Sequence, residues 1–470
     1  MEQYSLEGLV EILNLSKEYH SLASNKQLEI YDKCNWAITR IIQEIVFNDE
    51  QKDKPEKFFI NISSKELKKY LGTRDYITVI NLLISTGIVK RNDKYSKGNF
   101  SKSYSFTNKS YRMGDVMVAI HSKAFIKRLS DIKEKAFYEA IKDPLLKKIL
   151  YNTSKLIVVE EEDYYKSEIL NLTEEEMENE IDPEEKLKER KKQYYRYKSF
   201  YNEFKALNDV TSPLEVFKNK IYQTPTIAKS GRVYYTVSSI PRYIRKSMRV
   251  YGGHYIWEVD MRAAQPTLLM LEWLKSVTEE NSLNTSGSEF ILCKELILKG
   301  GIYDYIKDNS KYFNLLEYSY LKKEILCALY EPNQTSERNK ALKSLFPYFI
   351  GWLNTIKKKN YKRASHIGQS READIFVEVY KNLPDDMFSL IIHDSILCLE
   401  QDTKQVKELL VKRTTELFPI LKTNEDLDKL FNVSIVSIKD EELMQAKNER
   451  LLIEYLKKEN FINQDTQLID

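Results

Sequence analysis

Along the chain, some segments have apolar residues at helical spacing and others have short apolar runs typical of strands. These patterns predict each helix and strand. Helical spacing from residue 28 to 47 predicts an amphipathic helix with Ile30, Trp36, Ile38, Ile41, Ile42 and Ile45 on its apolar face. Residues 58–62 are typical of a short strand, and two helices follow, at 65–71 and 74–86, each ended by a glycine. Residues 88–90 and 103–106 then predict the strands of a hairpin. We expect the second helix to bury Ile77, Ile80, Leu83 and Ile84.

Further along, the pattern is mainly helical until two apolar strands appear. Helical spacing predicts helices over residues 117–126, 136–150 and 157–170, before an acidic run at 174–185 and a basic, tyrosine-rich run at 186–201. A strand through residues 255–259 leads into Asp260, and a second through 388–392 leads into His393 and Asp394, with Ile396 and Leu397 beyond. A helix at 403–417, a strand at 433–436 and an amphipathic helix at 441–458 complete the prediction.

Composition indicates a globular protein of several domains. The chain has 470 residues, 42% of them hydrophobic and 30% charged, and a formal net charge of +3 that says little about partners. Its four cysteines are far apart and fit neither a zinc pattern nor a disulfide framework. With no signal-peptide layout and no apolar run of membrane-spanning length, the sequence predicts a cytoplasmic protein that does not enter a membrane.

Local charge is more informative than net charge in the N-terminal part. Between residues 58 and 112 the acids are Glu66, Asp75 and Asp93, whereas the basic residues are Lys65, Lys68, Lys69, Arg74, Lys90, Arg91, Lys94, Lys97, Lys102, Lys109 and Arg112. Strand, helix, turn, helix and hairpin in this order resemble a winged helix-turn-helix. The resemblance implies that residues 1–112 contact DNA, with Arg74, Thr78 and Asn81 facing a groove and Lys94 and Lys97 in the wing. Winged helices also bind proteins, which is the alternative.

The two aspartates at strand ends are the candidate chemistry. A carboxylate that ends a buried strand is costly unless a cation or a donor meets it. Asp260 and Asp394, if the fold brings them together, suit two Mg²⁺ ions for phosphoryl transfer, with Mn²⁺ as an alternative ion. The other interpretation is that both are ordinary turn residues.

Four motifs in order support the first interpretation. They are Ile244-Arg245-Lys246-Ser247-Met248, the segment from Asp260 to Thr267, the segment from Gln369 to Ile375, and His393-Asp394-Ser395. In their order and spacing they resemble the polymerase domain of family A DNA polymerases and of the related single-subunit phage-type RNA polymerases, over roughly residues 226–440.

The resemblance implies a right-hand polymerase of the α+β class. Residues 226–440 would form an antiparallel palm and helical fingers, residues 113–225 a helical thumb-like region, and residues 441–470 a C-terminal helix. Asp260 and Asp394 would hold the ions, and His393 would bond the primer terminus. Lys322 and Tyr330, eight positions apart, would bind the triphosphate and the sugar. Tyr318 and Glu331 depart from the family pattern, so Lys323, Lys311 or Arg338 would supply a missing phosphate contact.

Two further sets of residues concern the nucleotide and the nucleic acid. Gln265 occupies the position of a family glutamate that blocks a ribose 2′-hydroxyl, and its bulk favours deoxynucleotides, whereas Ser395 is the RNA polymerase variant. From Lys229 to Arg249 every charged residue is basic, which predicts contact with a primer-template backbone through Arg232, Arg242, Arg245 and Arg249. Gln369 would lie near the minor groove.

The sequence therefore predicts a Mg²⁺-dependent, template-directed DNA polymerase without an exonuclease. Its partners would be DNA primer-template and dNTPs, and an origin or template DNA through the winged helix, as in mobile-element or phage replication. Two alternatives stay open: a single-subunit RNA polymerase or primase, and a non-catalytic DNA-binding replication or regulatory protein.

Overall fold

Buried apolar side chains belong to two units of the chain, each with strands and helices. The computed structural model describes residues 2–47, 59–93, 102–107, 115–158, 224–239, 245–246, 248–279, 287–332, 334–358, 360–421, 427, 429–437 and 439. Among these, the first unit ends at Glu139 and the second begins at Ala140. Both mix helices with small antiparallel sheets, so the predicted α+β class is confirmed. None of the described helices is long and apolar enough to cross a membrane.

The first unit contains five strands and six helices among its described residues. Its strands are β1 (Glu2–Leu6), β2 (Ile60–Asn61), β3 (Val89–Asn92), β4 (Ser103–Phe106) and β5 (Asp115–Ala119). Its helices are α1 (Leu9–Asn14), α2 (Lys17–His20), α3 (Ser24–Phe47), α4 (Ser64–Leu71), α5 (Asp75–Ser85) and α6 (Lys123–Ala140), the last residue of which begins the second unit. Strands β2, β4 and β3 form one sheet in that order, and β1 pairs with β5.

Local signals in the sequence set the ends of α4 and α5. The Ser63 hydroxyl accepts a hydrogen bond from the Glu66 amide at 3.1 Å and caps α4. Gly72 and Gly87 follow the two helices with φ of 98° and 73°, backbone conformations that favour glycine. The predicted helices and hairpin strands of this region are thus present, within one or two residues of their expected ends.

One predicted core residue of α5 is exposed. Ile77 has 51% of its surface accessible, whereas Val79, Ile80, Leu82 and Leu83 are buried. The expectation for Ile77 was wrong because residues three and four apart share a helix face. Ile77 stands three residues from Arg74 and four from Asn81, both of which are exposed.

Three predicted helices between residues 117 and 170 need correction. Met117 lies in β5, paired with Tyr4 of β1, because a strand partner far away in sequence overrides the local period. The stretch 136–150 contains the end of one helix and the start of another, α7 (Pro144–Thr153), since the Asp143 carboxylate caps the Leu145 amide at 2.9 Å. Ile157 lies in a strand, and residues 159–170 are outside the described residues.

The second unit carries the strands that end in aspartate. Its strands are β6 (Leu156–Val158), β7 (Thr226–Ile227), β8 (Val233–Tyr234), β9 (Met248–Val250), β10 (Trp257–Met261), β11 (Ser389–Ile392), β12 (Ser395–Cys398) and β13 (Phe431–Ile435). Besides α7, its helices are α8 (Thr236–Ser239), α9 (Ala264–Glu279), α10 (Ser288–Lys299), α11 (Ile302–Asn309), α12 (Lys311–Asn314), α13 (Tyr318–Tyr330), α14 (Glu337–Leu345), α15 (Pro347–Lys357), α16 (Lys362–Asn382) and α17 (Thr403–Leu417).

One antiparallel sheet organises this unit, with strand order β11-β12-β10-β13. In its central strands Val259, Ile396 and Leu397 are almost fully inaccessible, and the polar residues Glu258 and Ser395 are also buried. The strands predicted before Asp260, before Asp394 and after Asp394 are confirmed, and β13 begins two residues earlier than expected. The helices α9 to α16 all lie between β10 and β11 in sequence, so the long connection between the two aspartates is helical, as predicted.

Some predicted elements lie outside the described residues. These are the acidic and basic runs at 174–201 and the C-terminal helix at 441–470, as well as Lys94, Lys97 and Arg242.

Candidate catalytic site

Strand register brings Asp260 and Asp394 together at one end of the sheet. Asp260 is the β10 residue opposite Ser395 of β12, and Asp394 is in the turn immediately before Ser395. The Met261 amide donates to the Asp394 carbonyl at 3.1 Å, which ties the turn to β10. The Asn432 amide of β13 donates to Asp260 Oδ1 at 3.2 Å. Two carboxylates distant in sequence are therefore neighbours in the fold.

The electrostatics of Asp394 indicate a need for positive charge. The pKa of its carboxyl is raised from 3.8 to about 6, mainly by burial. The charges of Asp260 and Glu258 contribute to the rise, and a backbone hydrogen bond and the charge of Arg232 oppose it. Glu258 is itself buried, and its Oε1 accepts a hydrogen bond from the Ser395 hydroxyl at 2.7 Å. A cation between carboxylates of this kind removes their repulsion, so the donor set suits a hard divalent ion.

The backbone is strained beside both aspartates. Among the described residues with a side chain, positive φ is found at Ala263, at 47°, and at His393, at 48°. Such left-handed conformations cost about 1–3 kcal/mol and persist where the surrounding structure requires them. Ala263 follows Asp260 by three residues and His393 directly precedes Asp394, so a strained residue lies close in sequence to each carboxylate.

His393 is held as a neutral imidazole. Burial, together with the charges of Arg232 and Arg245, lowers its pKa from 6.5 to about 4. Its ring lies edge-on to Tyr234, with ring centres 5.5 Å apart, and its Nδ1 is buried without a hydrogen-bond partner. At neutral pH this side chain can donate or accept a hydrogen bond but carries no charge.

A chain of polar contacts connects α9 and α16 with α13, the helix that carries Tyr330. The Tyr330 hydroxyl donates to Gln265 Oε1, and Gln265 Nε2 donates to Glu372 Oε2 at 2.5 Å. Glu372 Oε2 also accepts from the Arg232 guanidinium. Burial raises the pKa of Glu372 to about 7, and the Arg232 charge opposes that rise. The predicted residues Gln265, Tyr330 and Arg232 thus meet in one network.

Lys322 lies above two tyrosine rings close to the aspartates. Its Nζ is 5.0 Å from the Tyr318 ring centre and 5.8 Å from that of Tyr303. Burial raises the pKa of the Tyr303 hydroxyl, and the charge of Asp394 raises it further, which places Tyr303 within electrostatic reach of Asp394. The exposed Lys322 ammonium is therefore held on the side of the helix that faces the site.

Two residues that were predicted to contact phosphate groups, Arg249 and Arg338, form contacts within the protein instead. Arg249 is buried, with its guanidinium 4.5 Å from the Tyr255 ring centre and bonded to the Met248 carbonyl at 3.3 Å, so the expectation that it meets phosphate is not supported. Arg338 forms ion pairs with Glu324 and Glu331, at 3.1 and 2.8 Å, in place of the expected free charge. Lys323 is exposed, one residue beyond Lys322 and therefore about 100° around α13.

Gln369 and Arg245 are two predicted nucleic-acid contacts that are only partly buried. Gln369 is half-buried on α16, three residues before Glu372. Arg245 is also half-buried, and its charge acts on His393 and on Tyr235. Both lie in the same unit as the aspartates, and Arg245 influences the site through the charge that it places near His393.

Sequence reasoning missed three members of the site: Glu258, Tyr303 and Glu372. Glu258 could have been found, because it precedes Asp260 by two residues and so lies on the same face of β10. Glu372 had a weaker signal, an acid among the apolar positions of α16. Tyr303 had none, since its approach to Asp394 depends on how α11 packs.

The carboxylates fit Mg²⁺ better than a metal held by protein ligands alone. Within the described ranges, no group of three or more His, Cys, Asp or Glu residues has the arrangement of a self-sufficient metal site. Mg²⁺ is commonly held by one or two carboxylates, with water and substrate phosphates completing its shell. Asp260 and Asp394 meet that requirement.

In the first unit, helix α5 presents a mixed face. Arg74 and Asn81 are exposed, Thr78 is half-buried, and Ile77 is between them. The Lys102 ammonium is paired with Asp93 at 2.8 Å. This face combines hydrogen-bonding, cationic and apolar groups.

No protein-family model matches the chain, and no curated protein is significantly similar to it in sequence.

Proposed function

We propose that the second unit is a template-directed nucleotidyltransferase, and that it extends DNA primers. The observation that carries the proposal is the approach of Asp260, on β10, to Asp394, in the turn that leads into the neighbouring strand β12. Lys322 and Tyr330 of one helix lie near the same site. The resemblance of four ordered motifs to family A and phage-type polymerases supports it. The antiparallel sheet would act as the palm, and the helices between the aspartates as the fingers.

In this mechanism Asp260 and Asp394 would hold Mg²⁺, and the ion would supply positive charge that favours ionisation of the primer 3′-hydroxyl and neutralises the triphosphate. The 3′-oxygen forms a bond to the α-phosphorus, its proton passes to water, and the bond to the β-phosphate oxygen breaks. Lys322 donates to the departing pyrophosphate. His393, neutral and next to Asp394, bonds the primer end, and Tyr330 with Gln265 contacts the incoming sugar.

The test is primer extension by the full chain with Mg²⁺ and either dNTPs or NTPs. We expect the wild type to extend with dNTPs and Asp260→Asn to lose at least about 1,000-fold of the rate, because a neutral amide cannot hold the ion. Asp308→Asn, an identical change at an exposed position of α11, is the matched control and should extend normally. A wild type that neither extends a primer nor starts a chain would refute the proposal, and extension with NTPs alone would make the unit an RNA polymerase.

The first unit is, in this proposal, a winged-helix module that binds duplex DNA. The exposed Arg74 and Asn81 on α5 support that role, and Ile77 on the same face suits apolar contact with a thymine methyl.

Variants of α5 test the DNA contact separately from catalysis. Arg74→Ala should weaken duplex binding about equally on all sequences and reduce its salt dependence by about one unit of slope. Asn81→Ala should reduce the difference in affinity between the DNA sequence that the wild type binds most tightly and other sequences, because base contacts are worth about 1–3 kcal/mol. Lys17→Ala on α2 is the control for lost surface charge. Fluorescence anisotropy at several salt concentrations measures both effects; unchanged binding in all three variants would exclude the α5 face.

A further inference from the structure

Helix α15 has an exposed side as well as a buried one. Phe349 and Leu353 are buried against the rest of the unit, whereas Tyr348 keeps 65% of its surface accessible. Thr355 and Lys358 are also exposed. Helical residues three, four and seven positions apart share a face, so Tyr348, Thr355 and Lys358 lie on the same side of the helix.

Gly351 belongs to this exposed side, three residues after Tyr348 and four before Thr355. A Cβ at Gly351 would meet nothing within 4 Å, and its φ is not positive. Neither packing against the described residues nor the backbone conformation therefore requires glycine, and alanine is the better helix former. A glycine in such a place allows another molecule to approach the helix backbone closely.

Two aromatic rings flank Gly351. Trp352 is partly exposed and stacks on Phe349, with ring centres 6.2 Å apart and 24° between the ring planes. Tyr348 is four residues before Trp352, so the two side chains are neighbours on the helix surface. The Glu289 carboxylate of α10 accepts hydrogen bonds from the Tyr348 and Phe349 amides, at 3.0 and 2.8 Å, and holds the start of the helix. The rings are thus presented by a firmly anchored element.

The segment that contains α15 is strongly basic. From residue 338 to 371 the sequence has no acid and nine basic residues: Arg338, Lys340, Lys343, Lys357, Lys358, Lys359, Lys362, Arg363 and Arg371. The members that form ion pairs are Arg338, Lys340 and Arg371. Those that are exposed and have no acidic partner within the described ranges are Lys343, Lys358, Lys362 and Arg363. Charges of one sign repel one another, so such a segment favours a polyanion as its partner.

We propose that the exposed side of α15, formed by Tyr348, Gly351, Trp352, Thr355 and Lys358, binds single-stranded nucleic acid. Lysines that meet phosphates, beside aromatic rings on which bases stack, bind single strands with little sequence preference. In a duplex the bases are paired and not available to Tyr348. An acidic protein would meet the same lysines, but the negative face of an aromatic ring repels carboxylates, whereas bases stack on it.

Fluorescence anisotropy of a labelled oligothymidylate of about 15 nucleotides, with the full chain and no nucleoside triphosphate, measures the affinity. Tyr348→Ala should weaken binding about 10-fold, because one stacked base is lost, and Tyr348→Phe should bind like the wild type. An abasic strand of the same length has only its phosphates, so Tyr348→Ala should not change its affinity. Tyr151→Ala on α7, a tyrosine 53% exposed beside Lys155, is the matched control and should bind normally.

Two further variants test the close approach and the charge. Gly351→Ala should weaken binding at least about threefold without lowering the melting temperature, because the methyl group suits the helix but obstructs the strand. Lys358→Ala should reduce the slope of log affinity against log salt concentration by about 0.7, the value for one phosphate contact on a single strand.

A photoreactive thymidine strand locates the contact directly, and we expect it to cross-link between residues 348 and 358. Cross-links confined to other segments would overturn the proposal. So would unchanged affinity in Tyr348→Ala, an equal loss on the abasic strand, or equally tight binding of a polyglutamate peptide of the same charge. Primer extension has no part in these measurements, so this surface and the proposed nucleotidyl transfer can each fail while the other stands.

Discussion

Asp394→Asn is expected to abolish primer extension and, at the same time, to make the protein more stable. The loss of activity should exceed about 1,000-fold, since the variant cannot hold the cation that the phosphoryl transfer requires. The gain in stability follows from burial. Asp394 is charged at pH 8 in a site that raises its pKa from 3.8 to about 6, which corresponds to about 3 kcal/mol against the folded state.

The pH dependence of that gain has a defined sign. Between pH 4 and 6 the folded wild type binds more protons at Asp394 than the unfolded chain does, so its free energy of unfolding falls as pH rises through this window. In Asp394→Asn the side chain does not titrate, so this pH dependence of the free energy of unfolding is absent. In EDTA the variant should therefore melt several degrees above the wild type at pH 8, with little difference at pH 4. A variant that melts below the wild type at pH 8 would contradict this account of the site.

Mg²⁺ provides the complementary measurement on the same two proteins. A ligand that binds only the folded state stabilises it by mass action. Millimolar Mg²⁺ should raise the melting temperature of the wild type and have much less effect on Asp394→Asn. Equal shifts in the two proteins would place the binding of the ion elsewhere.

Lys322→Ala is expected to lower kcat/KM for the incoming nucleotide by about 100-fold. In the proposed mechanism the Lys322 ammonium, held at the Tyr303 and Tyr318 rings, would donate to the triphosphate, and hydrogen bonds to charged groups are worth about 1.5–3 kcal/mol. Lys322→Arg keeps the charge and should recover part of the rate. Single-nucleotide incorporation kinetics measure both variants.

Two other lysines show whether the loss of kcat/KM is specific to Lys322. Lys323→Ala removes the same charge about 100° around α13 and should cost less than about threefold. Lys343→Ala on α14, another exposed lysine, should have no effect. Equal losses at Lys322 and Lys323 would mean that net charge, and not the position of Lys322, supports the reaction.

Much of the fold follows from local sequence. The strands before Asp260 and Asp394 were predicted because their apolar residues and terminal acids make a pattern that needs no distant partner. The helices α4 and α5 were predicted for the same reason, since caps and glycines are read within a few residues. Met117 and Ile157 were assigned to helices because their strand partners, Tyr4 and Arg249, are distant in sequence.

The sequence by itself determined the α+β class, the strands that carry the aspartates, and the chemistry that two such carboxylates favour. Only the tertiary structure decided that Asp260 and Asp394 are neighbours, because strand order in a sheet depends on packing between distant segments. It also decided that Arg249 and Arg338 are engaged within the fold, and that Glu372 and Tyr330 hold Gln265. The contacts of Gln265 arise where α9, α13 and α16 meet, and no local pattern of apolar residues encodes how three helices meet.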